Sequence, residues 1–285
     1  MAVYETDEPV LYERRGTTAW IALNRPTFAN SQNAQMLYAL DAAFARAVDD
    51  GEVRAVVLHG NGKHFSSGHD IGSPGRDADL PAKARTSLWG DHSQLDGAAK
   101  AYVREQELYL GLCRRWREIP KPTIAAVHGA CIAGGLMLAW VCDLIVASRD
   151  AFFSDPVLRM GIPGVEYFAH AFEMHPRVAR EFLFLGDRMT AQRAYELGMV
   201  NRVVERDDLE AEAGAIAERL ATLPPFGVTL AKQAFNQAED LMGKRAAMDA
   251  TFHAHHLAHA HAQLTTGSTI GGEDARSMAA GTRKD

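Results

Sequence analysis

Residues 63–71 (KHFSSGHDI) and residues 128–135 (HGACIAGG) decide the fold prediction for this chain. Each segment follows a short apolar run and contains small residues, which let backbone N–H groups approach a ligand without obstruction from side chains. The second segment directly precedes an apolar helix, whose N-terminal N–H groups and dipole favour developing negative charge. Two such N–H groups converging on one carbonyl oxygen would form an oxyanion hole. Either turn alone is better explained by close packing of a helix on a strand.

Outward from these turns, the first part of the chain predicts alternating strands and helices. Short apolar or β-branched runs bounded by turn residues predict strands, and apolar residues at helical spacing predict helices. The predicted strands are residues 20–23, 54–58, 123–127 and 144–147, and the predicted helices are residues 31–48, 99–116 and 134–141. This alternation is typical of βαβ units with a largely parallel sheet, so the predicted fold class is α/β.

The last third of the chain is predicted to be mostly helical. A period of 3.6 residues predicts helices at residues 177–185, 191–197, 207–223, 228–241 and 244–264. Thr190 is a suitable N-cap for the second of these helices, and Gly198 fits its C-terminal end. We therefore predict a core over residues 1–200 and a C-terminal helical region over residues 201–285.

The composition is that of an ordinary globular protein and excludes several protein classes. Of the 285 residues, 47% are hydrophobic and 23% are charged, which excludes a disordered, collagenous or coiled-coil chain. The net charge of −6 argues against nucleic acid as a partner. No apolar run reaches the roughly 18 residues of a membrane span. The three cysteines form no C-x-x-C pair and the N-terminus does not read as a signal peptide, so we expect a cytoplasmic location.

Several further segments form a series with the two turns. In chain order the series is residues 23–26 (LNRP), 65–71 (FSSGHDI), 120–129 (PKPTIAAVHG), 133–135 (AGG), 142–143 (CD), 161–164 (GIPG) and 194–200 (AYELGMV). One such motif alone is weak evidence for a protein family, whereas all of them in this order are specific for one. The series resembles the crotonase superfamily, also called the enoyl-CoA hydratase/isomerase family, over nearly the whole chain.

The resemblance implies a crotonase-type spiral of ββα units with a C-terminal helical trimerisation region, assembled as a homotrimer or a hexamer. It implies an acyl-CoA thioester as substrate, so coenzyme A enters with the substrate and no separate cofactor is expected. The backbone N–H groups of His69 and Gly134 would form the oxyanion hole, which makes both residues catalytic. The coenzyme A moiety would lie along Ser67, Gly68, His69, Asp70, Ile71 and Gly72, next to the chain after Pro26.

The chain departs from the family pattern at three positions. Hydratases of the family use two glutamates to hold and activate a water, and here those positions are Met137 and Val157. Neither side chain can exchange a proton, so the two-glutamate mechanism is absent. His69 stands where the family often has Ala, which changes the side chain but keeps the N–H. Direct proton transfer by this imidazole is the less favoured role, despite its suitable pKa range.

Glu166 is the leading acid/base candidate. The resemblance places an acid just past residues 161–164 in related activities, where this chain has Val165 and then Glu166. A carboxyl in an apolar pocket would have a raised pKa suited to proton transfer. The alternative is that Glu166 caps a helix or forms a salt bridge. Further candidates for the pocket are Glu107, Tyr109, Asp155, His170 and Glu173.

Five histidines crowd the last predicted helix: His253, His255, His256, His259 and His261. Of these, His255 and His259 have the i, i+4 spacing that can bind a metal. Neither a carboxylate nor a cysteine completes a ligand set. We therefore expect no metal site, and four of the five histidines are expected to face solvent or a subunit contact.

Two classes of function fit these observations. The first is an enzyme that stabilises a thioester enolate in an oxyanion hole, with hydration, double-bond isomerisation by Glu166 or another enolate reaction all open. The second is an acyl-CoA-binding module that kept the pocket and lost catalysis. Met137 and Val157 favour the binding module, whereas the group of Glu166, His170 and Glu173 favours the enzyme.

Overall fold

The computed structural model describes residues 8–71, 80–84, 86–87, 89–274 and 277. In chain order its strands are β1 (Val10–Arg15), β2 (Thr18–Leu23), β3 (Ala55–Gly60), β4 (Thr123–Val127), β5 (Ala130–Ile132), β6 (Leu144–Ser148), β7 (Phe152–Ser154), β8 (Met189–Thr190) and β9 (Arg202–Val204). Its α-helices are α1 (Ala34–Asp49), α2 (Gly97–Glu105), α3 (Leu112–Arg117), α4 (Gly134–Trp140), α5 (His170–Glu173), α6 (Pro176–Leu185), α7 (Ala191–Glu196), α8 (Leu209–Ala221), α9 (Pro225–Leu241) and α10 (Lys244–Thr266). A π-helical segment, Gln106–Gly111, joins α2 to α3.

A six-stranded sheet in the order β1-β2-β3-β4-β6-β9 organises the core, and β5, β7 and β8 form a second sheet. All neighbouring pairs from β2 to β9 in the first sheet are parallel. Every residue of β2 and β4 is buried, as expected for parallel strands that are covered on both faces. The predicted α/β fold with a parallel interior is confirmed.

The edge strand β1 is missing from the sequence-based prediction. It pairs antiparallel with β2 through a turn at Gly16, whose φ of +59° favours glycine. The second half of β1 is charged and exposed (Glu13, Arg14 and Arg15). An edge strand needs no continuous apolar run, so its sequence lacks the signal that reveals the interior strands.

The predicted long helices agree with the structure to within three residues at each end. Thr190 is the N-cap of α7 and accepts a hydrogen bond from the N–H of Arg193 at 3.2 Å. Gly198 follows the end of the same helix with a φ of +81°, so both predicted boundary residues are confirmed. The predicted helix at residues 99–116 is one helical run that includes the π-helical segment.

The two faces of the parallel sheet pack against different helices. Alternate residues of β2 point to opposite faces, because the side-chain period of a strand is two. Ala19 and Ile21 join the large core cluster that contains the apolar face of α1. Trp20 instead joins a smaller cluster with Leu209 and Ala213 of α8. The sheet is therefore covered by α1 on one side and by α8 on the other.

The C-terminal helical region predicted over residues 201–285 begins with elements that pack onto the sheet. β9 pairs with β6, and α8 covers the sheet as described. The two long helices α9 and α10 follow and contact each other. The division at residue 200 remains a prediction. Within the described residues, no helix is both long and apolar enough to cross a membrane.

Asp143 links α9 to the N-terminal end of β4, an interior strand of the buried sheet. Its Oδ2 accepts hydrogen bonds from the backbone N–H and the hydroxyl of Thr123, at 2.7 and 2.9 Å. The Nζ of Lys232 in α9 lies 2.8 Å from the same oxygen and donates to the carbonyl of Lys121 at 3.1 Å. The Lys232 side chain is only 6% exposed, so its charge depends on these partners.

We expect the Lys232→Met variant to lose about 2–3 kcal/mol of unfolding free energy. Removing one partner of a fully buried ion pair costs ~3–5 kcal/mol, and Asp143, whose side chain is 28% exposed, keeps part of its hydration. Arg149→Met is the matched control, because the Arg149–Glu205 pair is more than 60% exposed on both sides and should contribute at most about 1 kcal/mol. Urea unfolding measures both values, and equal losses in the two variants would contradict this assignment.

Candidate active site

The two small-residue turns of the sequence analysis are direct neighbours in the structure. The N–H of Ser66 donates to the carbonyl of Ala130 at 3.1 Å, and the N–H of Ile132 donates to the carbonyl of Ser66 at 3.0 Å. These two bonds extend the pairing of β5 onto the first turn. The segment after β3 and the start of α4 are thereby held side by side.

Gly68 allows the close approach of the two turns. Its φ is +97°, and a Cβ at this position would lie 2.9 Å from the carbonyl oxygen of Ile132 and 3.2 Å from the nitrogen of Gly134. A larger residue would be strained in its backbone and would also collide with the second turn. The packing of the two turns therefore requires glycine at position 68 of the predicted coenzyme A segment.

The two residues that carry the predicted oxyanion donors pack against each other. Gly134 is the first residue of α4, so its N–H has no partner within the helix. A Cβ on Gly134 would lie 2.6 Å from Cδ2 of His69, which shows how closely the two residues pack. In the described part of the chain, neither N–H donates to a backbone carbonyl of another element. Ala133, the residue of the second turn directly before α4, has a φ of +48°. This is a strained conformation of the kind that functional sites tolerate.

The side chain of His69 is largely buried, with 17% of its surface exposed, and is stacked on a tyrosine. Its ring lies on that of Tyr109, with 3.7 Å between ring centroids and an angle of 12° between planes. Burial, together with the charges of His255 and Arg104, lowers the pKa of His69 to about 3. The imidazole is therefore neutral near pH 7. Its Nδ1 lies 3.6 Å from Oε1 of Glu166, so the histidine meets a carboxyl group without forming an ion pair.

Glu166 lies in the irregular segment before α5 and is only 2% exposed. Burial raises the pKa of its carboxyl to about 8, and the charge of Asp155 acts in the same direction. Its Oε2 has no hydrogen-bond partner within the described residues. The Glu166 carboxyl therefore has the raised pKa that the sequence analysis expects. The alternative that Glu166 caps a helix is wrong, because Ala169 is the N-cap of α5 and no side chain caps that helix.

The other acidic candidates face different partners. Asp155 and His170 form a buried pair, with 2.8 Å between Oδ2 and Nε2. Glu173 lies 3.0 Å from the Nζ of Lys244 in α10. Of the group Glu166, His170 and Glu173 that the sequence suggested, only Glu166 therefore contacts His69.

Two further candidates come from the π-helical segment. Glu107 accepts the hydroxyl of Tyr38 at 2.7 Å and the N–H groups of Lys83 and Ala84, both at 3.2 Å. Its role is thus to hold the chain that precedes α2. Tyr109, in contrast, belongs to the site, because it stacks on His69. Distortions of this helical type recur at functional sites.

The predicted coenzyme A segment is anchored by a buried ion pair. The guanidinium of Arg25 lies 2.9 Å from Oδ2 of Asp70, and both side chains are less than 10% exposed. Arg25 also donates to the carbonyl of Ser31, and the N–H of Ser67 donates to the carbonyl of Ala29 at 2.9 Å. Ile71 is 39% exposed at the end of this segment, and Gly72 lies outside the described residues.

Met137 and Val157 occupy apolar surroundings. Met137 in α4 is 1% exposed, and it belongs to the same core cluster as Val165 and Tyr167. Val157 is partly buried against that cluster. Neither position offers a proton donor or acceptor, so Glu166 is, among the predicted residues, the carboxyl that contacts His69.

The sequence analysis did not predict that Glu105 and His255 lie next to Glu166. Glu105 is the last residue of α2, and burial raises its pKa to about 7, with the charge of Glu166 acting in the same direction. The Nε2 of His255 lies 3.7 Å from Oε1 of Glu166 and 3.6 Å from Oε2 of Glu105. No local sequence pattern predicts this contact, because Glu105, His255 and Glu166 come from three separate parts of the chain.

The expectation that no carboxylate completes a ligand set with the C-terminal histidines is wrong. Glu105, His255 and His259 place their ligand atoms within 4.8 Å of one another. Glu105 belongs to a helix that is remote in sequence, so a search within the histidine-rich segment could not find it.

A cavity of about 830 Å³ lies elsewhere, against α1 and α3, where Phe44, Gly111 and Trp116 are among its lining residues. None of the predicted site residues lines this cavity. The candidate active site is therefore assigned from its chemistry and not from cavity volume.

Comparison with known proteins agrees with this geometry. The family model described as enoyl-CoA hydratase/isomerase matches residues 13–96 and 91–273. A putative enoyl-CoA hydratase of Mycobacterium tuberculosis is 41% identical over 264 residues, covering 90% of this chain and 81% of the relative. The 1,2-epoxyphenylacetyl-CoA isomerase of Escherichia coli is 32% identical, covering 77% of this chain and 78% of the relative.

A solved structure extends the agreement to the fold. The crystal structure of a probable enoyl-CoA hydratase from Mycobacterium smegmatis has a TM-score of 0.83 and 44% identity, and the match covers 93% of this chain and 99% of that chain. The family model, the sequence relatives and the fold thus all indicate the same family. The chain belongs to the enoyl-CoA hydratase/isomerase (crotonase) family and is an enzyme of that family.

Proposed function

We propose that the protein catalyses proton transfer on an acyl-CoA thioester with one base, Glu166, as in the isomerisation of an enoyl-CoA double bond. One observation carries this proposal: Glu166 is a buried carboxyl whose Oε1 lies 3.6 Å from Nδ1 of His69, while the positions that correspond to the hydratase glutamates hold Met137 and Val157. Hydration needs groups that position and activate a water. Isomerisation needs only one group that removes a proton and returns it.

The proposed reaction starts with the thioester carbonyl at the N–H groups of His69 and Gly134. The ionised Glu166 removes a proton from the carbon next to the carbonyl, and the electrons of that C–H bond form a dienolate. The two N–H groups stabilise the negative charge on its oxygen. The protonated Glu166 then returns the proton to the far end of the dienolate, which moves the double bond. A carboxyl with a pKa of about 8 is suited to both steps near neutral pH.

We propose that His69 acts through its backbone N–H, while its ring positions neighbouring groups. The ring is neutral at the pH of the reaction because its pKa is about 3. It fills the space in front of Gly134 and separates Tyr109 from Glu166. We further propose that Ser67, Gly68, His69, Asp70, Ile71 and Gly72 line the coenzyme A moiety.

A second candidate function is acyl-CoA binding without turnover. It is favoured by the replacement of both hydratase glutamates by Met137 and Val157. The contact between Glu166 and His69 favours catalysis, because an uncompensated buried carboxyl destabilises a fold and a pure binding protein gains nothing from it. Two of the relatives, a putative enoyl-CoA hydratase and 1,2-epoxyphenylacetyl-CoA isomerase, support the same substrate class.

We also propose a homotrimer, alone or paired into a hexamer, in a reducing compartment such as the cytoplasm. The two long C-terminal helices expose large apolar side chains: Phe226, Phe235, Leu241, Leu257 and Leu264. Large apolar side chains exposed in this number on two helices are typical of a subunit interface. All three cysteines are free and buried, which suits a chain that forms no disulfides.

The oligomer is tested by sedimentation velocity at micromolar concentration. We expect a mass of three or six times the 31.1 kDa of one chain. A Phe235→Glu variant should shift the equilibrium towards smaller species, because a charge would be buried in the interface. Wild-type protein that sediments as a monomer would contradict the trimer.

The Glu166→Gln variant tests the proposed base. We expect kcat for isomerisation of 3-enoyl-CoA to fall by about 100- to 10,000-fold, because the amide keeps the volume and cannot accept the proton. The affinity for a saturated acyl-CoA should change by less than about threefold. The assays need short, long and aromatic acyl chains. Glu173→Gln is the matched control: it lies in the adjacent helix and pairs with Lys244, so it should change thermal stability and leave kcat unchanged.

The outcomes separate the two functions. Wild-type turnover that is insensitive to Glu166→Gln would reject Glu166 as the base. Binding of acyl-CoA without turnover of any substrate in the series would favour the binding module.

The oxyanion donors are tested in a His69→Ala background, which keeps the N–H of residue 69 and removes the ring that a Cβ on Gly134 would strike. We expect His69→Ala to retain turnover. Adding Gly134→Ala should keep turnover as well, whereas adding Gly134→Pro should lower kcat by about 100- to 1,000-fold, because proline lacks the N–H. Equal kcat for the two double variants would refute the assignment of Gly134.

A further inference from the structure

A group of ligand-type side chains beside the proposed base takes no part in the proposed reaction. Glu105 ends α2, and His255 and His259 lie one turn apart on α10. Their ligand atoms all lie within 4.8 Å of one another. Two imidazoles and a carboxylate are a common ligand set for divalent transition metals in proteins.

The hydrogen bonds of the two imidazoles decide which nitrogen carries the proton. Nδ1 of His255 lies 2.9 Å from the carbonyl oxygen of Gly164, and Nδ1 of His259 lies 2.6 Å from the carbonyl oxygen of Thr269. A carbonyl oxygen only accepts hydrogen bonds, so each Nδ1 must donate. The Nε2 of each neutral ring therefore carries a lone pair and no proton.

The two lone pairs face each other across 3.0 Å, the distance between Nε2 of His255 and Nε2 of His259. Two neutral rings in these tautomers cannot form a hydrogen bond, because neither nitrogen offers a donor. A cation between them would remove the repulsion. Metal-binding histidines typically donate their other N–H to a carbonyl or carboxylate, and both rings already do so.

Two carboxyl groups lie beside the imidazoles. Oε2 of Glu105 is buried, has no hydrogen-bond partner within the described residues and lies 3.3 Å from Nε2 of His256 and 3.6 Å from Nε2 of His255. Glu166 is only 2% exposed; its Oε1 lies 3.7 Å from Nε2 of His255, and its Oε2 has no partner in the described part of the chain. Glu105, His255 and His259 thus converge, with Glu166 beside His255.

We propose that Glu105, His255 and His259 bind a divalent transition-metal ion of the zinc type. Metal–ligand bonds of about 2.1 Å place neighbouring ligand atoms roughly 3.0–3.4 Å apart, and the separations between Nε2 of His255 and its two co-ligands are 3.0 and 3.6 Å. Small shifts of side chains are enough to close the site. Imidazole ligands favour zinc, cobalt or iron over magnesium or calcium.

The ion joins α2, which leads into the π-helical segment, to the C-terminal helix α10. A bound cation would favour the ionised form of the Glu166 carboxyl, so the tests of Glu166 use metal-free protein. The metal site is tested by binding alone, so its failure and the failure of the proposed base are distinguishable.

The test uses the full-length chain without an affinity tag, after removal of metals with a chelator. Titration with Zn²⁺ by calorimetry, and with Co²⁺ by its visible absorption, should each give one tight site per chain, with no binding of Mg²⁺ at the same concentration. The melting temperature should rise with the concentration of Zn²⁺. His259→Gln and Glu105→Gln should each weaken binding by about 100-fold or more, since even the loss of a group behind a ligand weakens metal sites by ~10–100-fold.

The controls are His253→Gln and His261→Gln, two exposed histidines of the same helix. His256 is not a suitable control, because its Nε2 lies 3.3 Å from Oε2 of Glu105. Both controls should keep the tight site. A wild-type chain that binds neither ion overturns the proposal. Tight binding that survives both ligand variants, or that disappears in a control, shows adventitious binding by surface histidines and overturns it as well.

Discussion

The site depends on one close approach, that of Gly68 to the start of α4. A side chain at position 68 would lie 2.9 Å from the carbonyl oxygen of Ile132, so only glycine lets the two turns touch. This contact places His69, the residue after Gly68, beside Gly134. The proposed proton transfer takes the N–H groups of these two residues as its reference point, because a thioester oxygen bound there would accept from both of them.

The second constraint is the burial of ionisable groups around these donors. Removal from water raises the pKa values of Glu166 and Glu105, to about 8 and about 7 respectively, and lowers that of His69 to about 3. Each shift disfavours the charged form and destabilises the fold where the group would otherwise be ionised. A cluster of this kind is typical of a functional site. Together with the apolar Met137 and Val157, it leaves a site suited to moving one proton.

Much of the fold could be predicted from the sequence. The interior strands β2, β3, β4 and β6 are parallel and covered on both faces, so each is a continuous apolar run that stands out from its surroundings. The long helices show their buried stripe through a 3.6-residue period. The edge strand β1 escaped prediction because half of it is charged and exposed. Local patterns also located the two small-residue turns, whereas Glu166 was predicted from the family resemblance.

Sequence alone therefore determined the fold class and the family resemblance, and it predicted the two oxyanion turns and the loss of the hydratase glutamates. Tertiary structure decided which ionisable groups meet. It paired Asp155 with His170 and Glu173 with Lys244, and it left Glu166 against His69. It also brought Glu105 to His255 and His259, although 150 residues separate the carboxylate from the first histidine. Local patterns encode burial and backbone geometry, whereas contacts between buried charges depend on how distant helices pack, and no periodicity in the chain records that packing.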